Sequence, residues 1–94
     1  MAEIGMLDML MQCKLGLGIQ TSETAFDAVL KQKIIAVKAY LHGAGVTEAV
    51  LASDAAVGVI VMGVGDIWIQ TAGEVKFSPA FTAIAAQFRA GGVA

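Results

Sequence analysis

The sequence predicts an all-α fold: a small bundle of about four helices, with a short extended arm or hairpin before the last helix. Apolar residues recur every three or four positions in several segments, glycines follow these segments, and a Ser-Pro pair precedes the last one. The chain has 94 residues, which is enough for one domain and too few for two. We therefore expect a single helical domain over residues 1–94.

The first helix is predicted over roughly the first dozen residues, ending near Lys14. Its apolar positions recur at helical spacing, at Ile4, Leu7, Leu10 and Met11. Gly16 and Gly18 follow and are expected to stop the helix. Four of the five methionines lie in or beside this segment, where adaptable side chains suit core packing or, as the alternative, a partner surface.

The second helix is predicted to begin at Thr24, which has the spacing of a capping box with Asp27, and to end at Gly43. Its apolar face consists of Phe26, Leu30, Ile34, Val37 and Leu41. After this helix, Thr47 is expected to cap a brief helical turn.

The segment from Ala55 to Ile69 is nearly uncharged, and its structure is the hardest to assign. Its apolar spacing and the Ser53-Asp54 pair before it favour a helix, whereas residues 59–61 and 67–69 would also suit buried strands. We prefer the helix because the segment exceeds the usual strand length, although its glycines lower helix propensity. It is shorter than the roughly 20 apolar residues that span a bilayer, so we expect no membrane protein.

The extended arm is predicted from Glu74 to Phe77, where polar and apolar residues alternate. The Ser78-Pro79 pair then has the favoured order for opening a helix, a side-chain cap followed by proline at the first helical position. The last helix presents one apolar face, formed by Phe81, Ile84 and Phe88. Core packing is the alternative to a partner contact for both Phe81 and Phe88, and we expect it more for Phe81. Gly91-Gly92 is expected to end the helix.

Residues for catalysis or metal binding are scarce, so we predict no enzyme activity, no metal site and no cofactor. The single Cys13 is expected to be a small buried hydrophobe, and His42 to lie at the C-terminal end of the second helix. The sequence of Gly63–Asp66 lacks the rest of a phosphate-binding motif, and Asp66 is expected to pair with a lysine or face solvent. The formal net charge of −2 disfavours a protein that binds nucleic acid through positive charge.

The apolar content points to partners. Of the residues, 57% are apolar and only 15% are charged, and one small core cannot bury them all. Trp68 is a candidate interface residue because tryptophan is enriched in interface hot spots, although a core tryptophan is equally common.

Two stretches, taken in order, carry a family resemblance. Residues 53–68 contain an opening aspartate, an apolar helix and a final Asp-Ile-Trp, and residues 73–81 contain Gly-Glu-Val-Lys-Phe-Ser-Pro before the last helix. This order resembles the small head-tail connector (adaptor) proteins of tailed bacteriophages. The second helix, with Lys33 and Tyr40, is also similar to theirs, so the resemblance extends from about Thr24 to Phe88.

The resemblance implies a structural virion protein that forms a homo-oligomeric ring, expected to be twelvefold, under the portal protein of a filled capsid. The ring would extend the channel through which DNA passes without sequence-specific binding, and would contact a downstream neck or tail-completion protein. It implies assembly in the host cytoplasm and a final location in the virion neck. By analogy, the subunit-interface candidates are Trp68, Glu74, Lys76 and Phe77, and the portal-docking candidates are Phe88 and Arg89.

Two other interpretations stay open at this point. A small helical binding module that forms a dimer would differ from the connector in its oligomer size. A holin-like membrane protein is favoured only by the hydrophobicity and would require detergent to stay in solution.

Overall fold

The computed structural model of the chain describes residues 5–68 and 76–89, which are mostly helical. The five α-helices are α1 (Met6–Leu17), α2 (Asp27–Gly43), α3 (Glu48–Leu51), α4 (Val57–Ile67) and α5 (Pro79–Arg89). A short 3-10 turn, Asp54–Ala56, leads into α4. Within the described ranges there is no strand, so the predicted all-α bundle is confirmed, and the uncharged segment is helical as far as Ile67.

Three predicted helix boundaries are confirmed. The second helix ends at Gly43. The Thr47 hydroxyl oxygen accepts a hydrogen bond from the backbone N–H of the third following residue, at 3.3 Å, and so caps α3. Pro79 is the first residue of α5, and the hydroxyl oxygen of Ser78 accepts a hydrogen bond from the N–H of Phe81 at 3.2 Å.

Two boundaries differ from the prediction. The first helix runs past Lys14 to Leu17, and Gly18 ends it with a left-handed φ of 76° that glycine adopts without strain. The predicted capping box is wrong, because α2 begins only at Asp27 and no side chain caps it. The Asp27 carboxylate instead pairs with Lys14 of α1.

The buried face of α1 is not the one that the apolar spacing suggested. Leu10 is buried as expected, but Leu7 is 77% exposed and Met11 is 49% exposed. The buried residues of α1 are Met9, Leu10, Cys13 and Lys14. Because α1 carries apolar residues on two faces, packing against α4 decides which of them is buried.

Helix α4 lies at the centre of the bundle and packs against α1, α2 and α5. One glycine of α4 and one of α1 allow this close packing. A Cβ at Gly63 would lie 2.5 Å from a ring carbon of Phe81 and 2.8 Å from a methyl carbon of Val37, and one at Gly16 of α1 would lie 2.5 Å from a methyl carbon of Val61. The glycine that lowers helix propensity at position 63 is therefore required where three helices meet.

Candidate interaction surfaces

The described part of the predicted arm is fixed by aromatic contacts within the subunit. Lys76 and Phe77 have no regular secondary structure, and Lys76 is exposed. The ring of Phe77 stacks on Phe81 with a centroid distance of 4.3 Å, and its centroid lies 4.7 Å from that of Tyr40 on α2. The arm candidate Glu74 lies outside the described residues.

A polar contact joins the end of α4 to the start of α5. One carboxylate oxygen of Asp66 accepts hydrogen bonds from the backbone N–H of Ser78 at 3.0 Å and from its hydroxyl at 2.8 Å. The same hydroxyl caps α5, so Asp66 stabilises the cap and fixes where the last helix begins. This contact was not predicted, since twelve residues separate the two positions and no local spacing signals it.

Trp68 lies just after α4 and is half-buried. Its ring meets Phe26 edge to face, with centroids 5.9 Å apart and planes at 76°, a favourable aromatic geometry. Phe26, at the N-terminal end of α2, stays 44% exposed. The two rings thus form an aromatic patch that is only partly covered by their own chain.

The portal-docking candidates lie in the last turn of α5. Phe88 is half-buried and packs against the core, together with Ile84. Arg89 is the final residue of the helix. Phe81, on the same face, is fully buried, which confirms its predicted core role.

Two further surfaces were not among the predicted site residues. The first, which we call the α1 stripe, consists of Leu7, Met11 and Leu15 at four-residue intervals, with exposures of 77%, 49% and 61%. The second, the α2–α3 cleft, has a volume of about 540 Å³. It is lined by Ile35, Lys38, Ala39, His42, Gly43, Glu48, Leu51 and Ala52. The four-residue spacing in α1 was the sequence signal for the stripe.

Cys13 and His42 are the side chains whose chemistry could serve catalysis or metal binding. Cys13 is buried as predicted, and burial raises the pKa of its thiol to about 11, so the thiol stays protonated near neutral pH. His42 is exposed at the end of α2, with Nε2 3.8 Å from a carboxylate oxygen of Glu48. Among the described residues, no group of three or more His, Cys, Asp or Glu side chains could hold a metal ion.

Membrane insertion was the alternative suggested by the hydrophobicity. No helix within residues 5–68 and 76–89 combines the length and apolar character that crossing a bilayer requires.

Comparison with known proteins shows which family the chain matches. Residues 9–86 match the family described as "Phage connector protein". No curated protein and no solved structure matches the chain significantly. The matched range begins within α1 and ends within α5, so it includes the whole of α2, α3 and α4 and the residues between them.

Proposed function

The chain belongs to the phage connector protein family, and on this premise we propose that it is the subunit of a ring that joins the capsid to the tail. The ring lies under the portal protein, extends the channel for DNA and contacts a downstream neck or tail-completion protein. The observation that carries this proposal is the family match over residues 9–86. It makes the role structural and enzyme activity unnecessary.

The exposed apolar side chains support assembly. Among the residues that the structure describes, seven large hydrophobic side chains are more than 40% exposed: Leu7, Met11, Leu15, Phe26, Val29, Ile35 and Tyr40. In a ring, each subunit buries two different surfaces against its two neighbours. Such an arrangement covers apolar surface on more than one side of the subunit, as these residues require.

The predicted contact residues keep their assignments within this proposal. Trp68, Lys76 and Phe77, together with Glu74 outside the described residues, contribute to contacts between subunits. Phe88 and Arg89, in the last turn of α5, face the portal. We propose a twelvefold ring, located in the virion neck after assembly in the host cytoplasm.

The charge balance suits a channel through which DNA must move. The chain has six Lys and Arg residues against eight Asp and Glu residues, so it lacks the excess of cations that holds DNA through its phosphates. We expect such a ring not to hold DNA through its phosphates, and the proposal includes no sequence-specific binding of the DNA.

Loss of the gene tests this function in the phage that encodes the protein. We expect infected cells to accumulate DNA-filled heads and separate tails, visible by electron microscopy, and the yield of infectious particles to fall by several orders of magnitude. A plasmid copy of the gene should restore joined particles. Normal tailed particles in the absence of the protein would contradict the proposal.

A further inference from the structure

We propose that the α1 stripe of one subunit seats in the α2–α3 cleft of the next copy. This inference rests on the proposed function, since it names a pair of surfaces through which neighbouring subunits of the ring meet, in addition to the contacts proposed above for Trp68 and the arm. It joins an exposed apolar stripe and a cleft that the described residues of the same subunit leave uncovered.

The α1 stripe is an exposed apolar helix face of the kind that binds a partner. Leu7, Met11 and Leu15 lie one above another on a single side of α1. The other side of the helix is already occupied, because Met9 and Cys13 are fully buried in the core. An amphipathic helix that presents apolar residues at this spacing is the element that hydrophobic grooves between helices bind.

The α2–α3 cleft has the matching chemistry. Its apolar lining includes Leu51, which is almost fully buried, and Ile35, which is 57% exposed. A volume of about 540 Å³ lies in the range of sites that enclose several apolar groups. An exposed isoleucine at the edge of such a cleft would be covered by an incoming helix.

Charge complementarity favours a second copy as the occupant. The exposed side of α1 carries Asp8 in its first turn, whereas the only cation of this helix, Lys14, is buried and paired with Asp27. The flank of α2 beside the cleft carries Lys31 and Lys38, two helical turns apart. The acidic residue in the lining, Glu48, faces His42 at 3.8 Å. A helix whose one exposed charge is negative therefore meets a flank that carries two lysines.

The geometry makes this contact head-to-tail. No residue of α1 lines the cleft, so a subunit's own stripe does not fill it. A contact between two different surfaces leaves one of each unused in every dimer, so further copies add, and they form a ring where the rotation between neighbours closes. A stripe that paired with another stripe would instead stop at a dimer.

The test uses full-length protein with Leu15→Glu in the stripe or Ile35→Glu in the cleft, under the conditions in which the wild type assembles. Ala36→Glu is the matched control, because it adds the same charge to the same exposed part of α2 on a side that does not line the cleft. Circular dichroism checks that each variant is folded, and light scattering gives its mass. We expect Leu15→Glu and Ile35→Glu to be monomers, and Ala36→Glu to assemble like the wild type.

Mixing the two defective variants tests the head-to-tail arrangement directly. Leu15→Glu retains an intact cleft and Ile35→Glu retains an intact stripe, so the mixture should give a species of two subunits and nothing larger. Asp8→Lys and Lys38→Glu should each weaken assembly at low salt, and the double variant should restore it.

Several outcomes would overturn the inference. If the wild type assembles but either Glu variant assembles equally well, the subunits meet through other surfaces and the proposed function is unaffected. If only the stripe variant fails, the stripe binds itself or another site, such as one on the portal. If the wild type stays monomeric both alone and with its portal, the proposed function fails as well.

Discussion

Replacing Phe81 by alanine is expected to lower the free energy of unfolding by about 3–5 kcal/mol, the cost typical of deleting a fully buried aromatic ring. Phe81 has no exposed surface. Its ring stacks on Phe77, lies 5.7 Å from the ring of Tyr40, and covers Gly63 of α4. The Phe81 ring thus joins α5, the arm and α4. Gly63 has no side chain that could fill the cavity left when this ring is removed.

The matched control for this prediction is Phe26→Ala, which removes the same ring from a position that is 44% exposed. Because Phe26 already faces water and contacts Trp68 in a single edge-to-face pair, we expect a loss of about 1 kcal/mol. Urea denaturation of the two variants measures both values. Equal losses would show that the Phe81 contacts do not organise the core as described.

The second large effect is expected at the pair between α1 and α2. Lys14 is only 6% exposed in its side chain, and its Nζ lies 2.8 Å from Asp27 Oδ1 and 3.3 Å from the Thr21 carbonyl oxygen, to which it donates. Lys14→Met keeps the aliphatic volume but leaves a carboxylate and a carbonyl without this cation. We expect a loss of about 1–3 kcal/mol, below the cost for a fully buried pair, because Asp27 is 31% exposed.

A double-mutant cycle isolates the interaction. The double variant Lys14→Met with Asp27→Leu should lose less stability than the sum of the two single changes, because no unpaired charge remains. Glu48→Gln, at the exposed pair with His42, is the control and should change stability by less than about 0.5 kcal/mol. Strict additivity in the cycle would mean that the pair contributes nothing beyond its separate side chains.

The parts of the fold that local chemistry determines were predictable from the sequence. The stop at Gly43, the Thr47 cap and the start at Pro79 each depend on residues within one turn of the boundary. The burial of Phe81 also follows from its position on the apolar face of a capped helix.

What was missed depends on contacts between distant segments. Leu7 and Met11 belong to an apolar face of α1, but α4 packs against the other one, and periodicity alone does not rank two apolar faces. The Thr24–Asp27 spacing predicted a capping box. No local signal shows that the Asp27 carboxylate instead pairs with Lys14 of α1. Asp66 likewise binds Ser78, twelve residues away, and its role appears only when α4 and α5 are placed together.

The interaction surfaces also divide into those that the sequence predicted and those that it did not. The resemblance predicted Trp68, Phe77 and Phe88 as contact residues. In the structure, each of these rings packs at least partly against residues of its own chain. Their contacts with other subunits or with the portal stay predictions. The α2–α3 cleft could not be predicted, because a concave surface is formed by two helices and has no sequence pattern of its own.

The solution mass of the protein, alone and with its cognate portal, tests the central claim most directly. Light scattering across a range of concentrations, without detergent, distinguishes a monomer, a dimer and a closed ring. We predict a discrete species of about twelve subunits, formed either by the protein alone or on the portal, whose mass does not grow further with concentration. A monomer or dimer whose mass does not change when the portal is added would contradict the proposed ring.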